Sequence, residues 1–518
     1  MKNIFLEKAE GLKPVINEKV VYPIQFGRVE PEEGSWFGYK FVQAEGLEIR
    51  KAGESVCVDF GEHCTGRLSF TLQAAVPDAP KRVHIKFAET LQELGASFEE
   101  YKGGLSRTWL QEETVTLDEP GIISLPRRYA FRYIKVTVLN SNEPVILSDF
   151  KVCAGTSADY THLKPGPAEE RLKQLDEIGI KTLAECMQSV FEDGPKRDRR
   201  LWIGDLRIQA LVNYETFDQI DLVKRCLYLF AGYTQSGNYT PRCVFVDSRG
   251  TYCGGDIFVD YSLMFNLILC DYFTHTGDTE LVDELFDIAD EQMLLACDKL
   301  DDDGIVQVVP VDGRWAFIDW CKELQKITSM QGVILYTLRH MAELSAMTGR
   351  KEKEAEYRSK MMQMQEACRK YLYNAEKEAF INHYDSFQYS VHSQVWMVLA
   401  GVLTKEENQK LLRKVLKDTA IIKPVTPYMH HYVVEALLEA DMPDEAFAYM
   451  TDYWGRMADL GADTYWEVFV PDHPEISPYS DRIMNSACHA WSCSPSYFIR
   501  KYDMKKISQT GGFKYDKN

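Results

Sequence analysis

The sequence has no apolar run approaching the 18 or more residues that a membrane-spanning helix needs, and no block of basic residues. Against 59 basic side chains stand 78 acidic ones, a net charge of −19, which argues against nucleic acid and against anionic membranes as partners. Thirteen cysteines are scattered along the chain without a single CxxC pair, which excludes a zinc ribbon or a dithiol redox motif. Cys488, His489 and Cys493 lie close together, but a zinc site would need a second ligand pair. The plain expectation is reduced core thiols in a cytoplasmic protein. The first twenty residues lack an apolar segment followed by small residues and do not read as a signal peptide. There is no phosphate-binding Walker loop and no GxSxG elbow. Asp301-Asp302-Asp303-Gly304 resembles a fragment of a calcium loop but lacks the EF-hand spacing. No metal and no cofactor is therefore expected.

What is present is a soluble-protein composition, 45% apolar and 26% charged, over 518 residues, enough for two to four domains at roughly 150 residues each. The pattern changes near residue 160. Before it the apolar period is two: Val56, Val58 and Phe60; Leu68, Phe70 and Leu72; Val83, Ile85 and Phe87; Tyr133, Ile134, Val136 and Val138. Turn signals at Ala52-Gly53, Pro77-Asp78, Gly103-Gly104 and Glu119-Pro120-Gly121 separate these runs, and several short strands at this spacing predict a β-sandwich. No helical period of useful length occurs between residues 45 and 150.

After residue 165 the period becomes helical, as in Leu172, Leu175, Ile178, Leu183, Cys186, Met187 and Val190. Twelve helices are predicted, near 165–190, 205–217, 219–234, 257–275, 278–299, 326–347, 351–373, 391–402, 405–417, 427–439, 443–459 and 487–501. Twelve helices without a sequence repeat fit an α-solenoid or a closed (α/α)6 barrel. The long loops 191–205, 235–256, 301–325 and 460–486, rich in Gly, Trp, Asp and Glu, favour a barrel with a funnel at one end. The expected organisation is a β-sandwich domain with an N-terminal extension over 1–160, an (α/α)6 barrel over 161–505 and a tail over 506–518.

The densest polar cluster spans 192–205 and brings Asp193, Arg197, Asp198, Trp202 and Asp205 onto one loop. Gly194-Pro195 is expected to end the preceding helix and Asp205 to cap the next. Mixed charges on a loop are often only a solvated connection. Here three carboxylates, a guanidinium and an indole together suit a sugar: carboxylates accept bonds from paired hydroxyls, and an indole stacks on the apolar face of a pyranose. A second cluster, Gly461-Ala462-Asp463-Thr464-Tyr465-Trp466-Glu467, follows a helix that Gly461 can cap. Taken alone it could be plain surface. Glycoside hydrolysis, however, needs two carboxyls across the bond, and Asp198 and Glu467, 269 residues apart, can face each other in a closed barrel. Weaker candidates are Trp320 in the aromatic loop 315–320, Asp256 after Gly254-Gly255, which can equally be a helix cap, and His489, just inside the last predicted helix and equally readable as a core histidine.

At these residues the sequence resembles glycoside hydrolase family 78, the bacterial α-L-rhamnosidases. Asp193-Gly194-Pro195-Lys196-Arg197-Asp198, followed by Trp202 and Asp205, is similar to the family's acid loop, with Gly194 where the family has Cys and Asp198 where many members have Glu. Residues 461–467 are similar to its base motif, with Asp463 in place of a Thr. Phe317-Ile318-Asp319-Trp320, the segment 485–490, Asp59-Phe60-Gly61-Glu62 with Gly66, and Phe131-Arg132-Tyr133-Ile134 extend the likeness to about residues 40–500. The resemblance implies an inverting exo-glycosidase releasing α-L-rhamnose. Asp198 would be the general acid and Glu467 the general base. Asp193, Arg197, Trp202, Asp205 and His489 would bind the sugar, and Asp256, Trp320 and Trp466 are further candidates for binding it. The partner is then a carbohydrate substrate, and a homo-oligomer remains compatible with the sequence. Two other readings stay open: another (α/α)6 glycosidase with a different sugar, and a non-catalytic carbohydrate-binding protein on the same fold. Acids at both Asp198 and Glu467 argue against the last.

Overall fold

The computed structural model describes residues 3–44, 48–49, 52–74, 79–141, 143–247, 249–254, 257–307 and 315–502. Pro77-Asp78, Gly255-Asp256 and the tail 506–518 lie outside the described residues. Up to Thr156 the chain builds an antiparallel sheet of ten strands. Its main path runs Asn17–Val21, Val145–Thr156, Ser55–Ala74, Tyr129–Asn140, Lys81–Ala88, Glu112–Leu117. Alternation sets the register: Val58 lies opposite Ile134 and Ile85 opposite Val136, and all four are buried in one apolar core. The runs at 56–60 and 68–72, expected as separate strands, form one twenty-residue strand, Ser55–Ala74. A register shift between Asp59 and Cys64 interrupts its pairing, and Gly61 there takes a φ of +76°, open to glycine without strain. The sheet region also holds one short helix, Leu91–Gly95, capped by the Thr90 hydroxyl, which accepts from the Glu93 N–H at 3.3 Å.

From Glu170 onward the described residues form twelve α-helices in six pairs. Glu170–Cys186, Ile220–Tyr233, Thr279–Cys297, Lys351–Ala367, Lys405–Lys417 and Pro443–Asp459 lie outside; Ile203–Glu215, Val259–Thr276, Ile327–Met347, Val391–Leu399, Pro427–Glu439 and Ser494–Lys501 lie inside. Burial separates the rings. Lys351–Ala367 buries only Tyr357, Met364 and Ala367, whereas every residue of Ile203–Glu215 except Glu215 is buried. A helix apolar all round belongs in an interior, and an amphipathic one at its edge. The ring closes because Ser494–Lys501 packs on Ile203–Glu215, while His431 Nδ1 meets the Ser494 hydroxyl at 3.0 Å and its ring lies 5.0 Å from that of Phe498. That closure selects the barrel over the solenoid. Among the described residues no helix is long and apolar enough to cross a membrane.

Three local expectations are corrected. The helix expected to run to Gly194-Pro195 ends at Cys186, because the chain doubles back and the Glu192 N–H bonds the Cys186 carbonyl at 2.8 Å. The next helix starts at Ile203, so Asp205 sits in its first turn rather than capping it. The last helix starts at Ser494 with Pro495 in its first turn, which leaves His489 outside it on extended backbone at φ −144°. A helix the sequence did not announce, Ile4–Gly11, packs on Ile220–Tyr233; Arg225 donates to the Ala9 carbonyl, and Gly232 leaves room for Leu6.

Burial in the closing contact pushes the His431 imidazole down to about 3, against roughly 6.5 in an unfolded chain. Between those values the unfolded chain binds the extra proton, so stability falls as pH falls through this window, by about 2 kcal/mol from pH 7 to pH 5. His431→Asn, compared with the parent by urea unfolding at both pH values, should remove that part of the acid sensitivity. An unchanged pH dependence would show that the ring protonates freely in place.

Candidate active site

The first loop is tied off at its base. The Asp193 N–H bonds the Arg200 carbonyl at 3.0 Å, and the Arg200 N–H returns to Asp193 Oδ1 at 3.0 Å. At its tip Asp198 and Arg199 take φ values of +63° and +52°, a left-handed pair that costs backbone energy and that aspartate tolerates better than most residues. Between base and tip, Lys196 is buried and donates to the Asn485 carbonyl at 2.7 Å.

The second loop is laid along residues 485–490. The Glu467 N–H bonds the Ser486 carbonyl at 2.9 Å, the His489 N–H bonds the Tyr465 carbonyl at 2.9 Å, and the Trp491 indole donates to the Glu467 carbonyl at 3.0 Å. The Ala490 N–H reaches the Asp193 carbonyl of the first loop at 2.9 Å. Segment 485–490 is thus the common edge on which both acidic loops rest. Asp463 faces the sheet, where it accepts from the His63 backbone N–H and lies 3.7 Å from Arg132.

The loops meet at Arg197. One terminal nitrogen of its buried guanidinium lies 3.4 Å from Asp198 Oδ1, and the other binds Glu467 Oε2. Each carboxylate takes a different nitrogen of one planar fork, so the facing oxygens lie no more than about 8 Å apart. The Tyr479 ring sits under the guanidinium at 4.4 Å, and its hydroxyl donates to Glu467 Oε1. Ser486 N–H adds a bond to Glu467 Oε2 at 3.0 Å. Burial alone would raise the Glu467 pKa. The Arg197 charge, followed by its hydrogen bond and the Ser486 N–H, overrides burial and brings it to about 2.

Asp193, Asp205 and His489 form a wall of opposite character. Burial, with the neighbouring carboxylates behind it, raises Asp193 and Asp205 well above the usual carboxylate range. Burial lowers His489 to about 4. Burial thus works against charge on all three groups, and at neutral pH the His489 ring is uncharged. His489 Nδ1 lies 3.5 Å from Asp205 Oδ1 without hydrogen-bond geometry. Five buried polar atoms here, Trp202 Nε1, Asp205 Oδ1, His489 Nδ1, Arg197 Nε and Ser486 Oγ, have no hydrogen-bond partner among the described residues. Such atoms are costly unless a ligand satisfies them. Trp202 is fixed by the pairing of Leu201–Trp202 with Cys243–Asp247, a small sheet the sequence did not reveal.

The other expected residues divide. Trp320 is 39% exposed, edge-on to Tyr479 at 5.9 Å, and lines a cavity of about 690 Å³ with Trp315, Lys322 and His383. Trp466 does not join the carboxylates: while Glu467 meets Arg197, the Trp466 ring stacks on Trp36 at 6.2 Å and meets Phe37 edge-on at 5.6 Å. Asp256 lies outside the described residues. Tyr479 and Ser486 went unnoticed in the sequence. Tyr479 sits among Pro471, Pro474 and Pro478 in a stretch with no periodicity, and a backbone N–H has no sequence signal. Among the described residues no group of His, Cys, Asp and Glu is arranged to hold a metal ion.

Residues 28–152 match the glycosyl hydrolase family 78 alpha-rhamnosidase N-terminal domain, and residues 167–502 match the bacterial alpha-L-rhamnosidase 6 hairpin glycosidase domain. No curated protein sequence matches the chain. Among solved structures, a rhamnosidase from Klebsiella oxytoca with rhamnose bound is similar at 38% identity and a TM-score of 0.91, over 96% of this chain and 98% of that one. A family 78 rhamnosidase of Bacillus sp. GL1 shares 22% identity at a TM-score of 0.74, over 90% of this chain and 50% of that one. The Streptomyces avermitilis α-L-rhamnosidase complexed with L-rhamnose shares 16% identity at 0.67, over 95% of this chain and 44% of that one. The last two show the fold.

Removing one member of a buried ion pair leaves the other charge uncompensated, at a cost of about 3–5 kcal/mol. Arg197→Met should lower the stability measured by denaturant unfolding at pH 7 by that amount. A loss below about 1 kcal/mol would mean that Glu467 is held by Tyr479 and Ser486 alone.

Proposed function

The chain belongs to glycoside hydrolase family 78, and from that premise we propose an inverting exo-glycosidase that releases terminal α-L-rhamnose from oligosaccharides or glycosides, with Asp198 as general acid and Glu467 as general base. The observation that carries the reading is the single buried guanidinium that holds both carboxyls beside a wall of unsatisfied polar atoms. An ionised carboxylate offers about four acceptor sites. Tyr479, Arg197 and Ser486 take three of those of Glu467, leaving one to orient a single water. The pKa of about 2 keeps Glu467 ionised at any working pH. Asp198, with its side chain 16% exposed, is the most accessible of the clustered acids, as suits a group that must reach a leaving oxygen. The separation of at most about 8 Å admits both the ~6.5–9.5 Å of inverting enzymes and the ~5–5.5 Å of retaining ones, so the anomer released first decides between them. Asp193, Arg197, Trp202, Asp205 and His489 would hold the sugar hydroxyls and ring, with Trp320 at the rim.

A second assignment of the acid has its own support. Burial and neighbouring carboxylates raise Asp193 and Asp205 well above the usual carboxylate range, so either could supply the proton if Asp198 does not. A cytoplasmic setting fits thirteen cysteines that are all free, ten of them buried.

With an aryl α-L-rhamnoside, Asp198→Asn and Glu467→Gln should each lose several orders of magnitude in turnover while remaining folded. NMR should detect β-L-rhamnose as the first product. Near-normal turnover in Asp198→Asn would move the acid to Asp193 or Asp205. First release of the α anomer would overturn inversion, and normal turnover in Glu467→Gln would overturn the pair. Trp202→Ala should raise KM at least tenfold; an unchanged KM would remove the indole from the sugar site.

A further inference from the structure

The two groups that fix Glu467 Oε2, the Arg197 guanidinium and the Ser486 N–H, each have a neighbour in sequence tied to the sheet domain. Lys196 precedes Arg197. Its ammonium lies 3.1 Å from Glu89 Oε2 and 3.4 Å from Glu93 Oε2, and it donates to the carbonyls of Ile483 at 3.3 Å and Asn485 at 2.7 Å. Ala487 follows Ser486, and its N–H donates to Glu89 Oε2 at 2.7 Å. Three consecutive residues of one strip are thus held by three different groups: the Asn485 carbonyl by Lys196, the Ser486 N–H by Glu467 and the Ala487 N–H by Glu89. Glu89 leaves the end of strand Lys81–Ala88 and is itself fixed from behind. Its backbone N–H donates to Glu93 Oε2 at 2.9 Å, and its Oε1 meets His63 Nε2 at 3.1 Å. His63 Nδ1 faces Glu185 of the first barrel helix at 3.4 Å, and Glu185 pairs with Lys181 at 2.8 Å. Glu89, Glu93, His63 and Lys196 are all at most 5% exposed.

We propose that Glu89 is a positioning residue for the hydrolytic site: through Lys196 and the Ala487 N–H it sets where Arg197 and Glu467 stand, so that the sheet domain supplies part of the active-site geometry. Burying this many charges is expensive, and a seam that served only to join two bodies could be apolar at less cost. What charges add is direction. The Glu89 carboxylate accepts from a backbone N–H on one loop and from an ammonium on the other, so its position relates the two loops. Burial opposes charge on both, but the hydrogen bonds to Glu185 and Glu89 help to raise His63 well above its usual range, and Lys196 and His63 lower Glu89. Misplacement of catalytic groups by about 1 Å can cost a hundredfold in rate.

This role rests on the assignment of Glu467 as general base, so the test includes Glu467→Gln. The variants are Glu89→Ala, Glu89→Gln, Lys196→Met and the charge-balanced pair Glu89→Gln with Lys196→Met. For each, kcat and KM with 4-nitrophenyl α-L-rhamnopyranoside and the Tm are measured on the full chain. Glu89→Ala should lose ten- to a hundredfold in kcat, and Glu89→Gln, which keeps an acceptor for Ala487, should recover part of that loss. Lys196→Met should also lose at least tenfold. The paired variant should regain Tm relative to its singles without regaining kcat, a split that a purely structural role would not produce. Should Glu89→Ala not fold, the glutamine and methionine variants carry the test. Folded variants within twofold of the parent kcat, with Glu467→Gln inactive, would overturn the positioning role alone. An active Glu467→Gln would instead overturn the assignment on which it rests. A paired variant that regains kcat together with Tm would reduce the network to a scaffold.

Discussion

A buried guanidinium that binds two carboxylates from opposite ends of the sequence sets the terms for everything around it. Arg197 is 4% exposed, and a cation so placed is tolerable only if anions meet it in the right directions. Glu467 meets one nitrogen and Asp198 the other, while the Tyr479 ring covers the face. Those contacts require loops 269 residues apart to arrive at one point within tenths of an ångström. Only a closed ring does this, and the ring closes where Ser494–Lys501 packs on Ile203–Glu215. The buried inner helices, the segment 485–490 and the bonded base of the acid loop all serve that meeting.

The same burial acts in opposite directions within a few residues. Glu467 has cationic and N–H partners and is brought down to about 2; Asp193 and Asp205, buried with other acids beside them, are raised well above the usual carboxylate range. His489, between the two kinds, is neutral. The site therefore favours charge on the side of Arg197 and works against it on the side of Trp202. A neutral sugar with several hydroxyls suits such a division, since polar groups already held in place exchange hydrogen bonds with it without a large desolvation cost. Trp320 stands beside a roomy cavity.

The seam between the sheet and the barrel is built in the same manner. It is a chain of alternating charges running Lys181, Glu185, His63, Glu89, Lys196, and its last member is one residue from Arg197. Asp59 with Arg132, and Arg132 with Asp463, tie the sheet to the second loop in parallel. The aspartate that departs from the family motif at 463 thus has a partner on the other domain.

Local chemistry determined a good deal of this protein before any packing is considered. A period of two in 56–87 and a helical period after 165 are properties of neighbouring residues, and they specified a sheet followed by twelve helices; the two acidic loops were legible because their residue types are dense and unusual. Elements whose ends depend on distant partners were not legible. The helix before the acid loop ends at Cys186 because Glu192 folds back to bond it, and His489 leaves its expected helix because residues 485–490 are drawn between two loops. Two strand runs merged because the partners on either side of Gly61 continue the ladder. Trp466 and Glu467 are adjacent in the motif, but only the tertiary structure decided that one faces Trp36 and the other Arg197. Tyr479, Lys196 and Glu89 carry no pattern of their own, since a side chain's role in a buried charge network is fixed by what lies across from it. The sequence determined the elements and the chemistry available to them, because both are set within a few residues. Which acids ionise and which loops meet were decided by closure of the ring, because desolvation and charge pairing exist only once distant segments exclude water together.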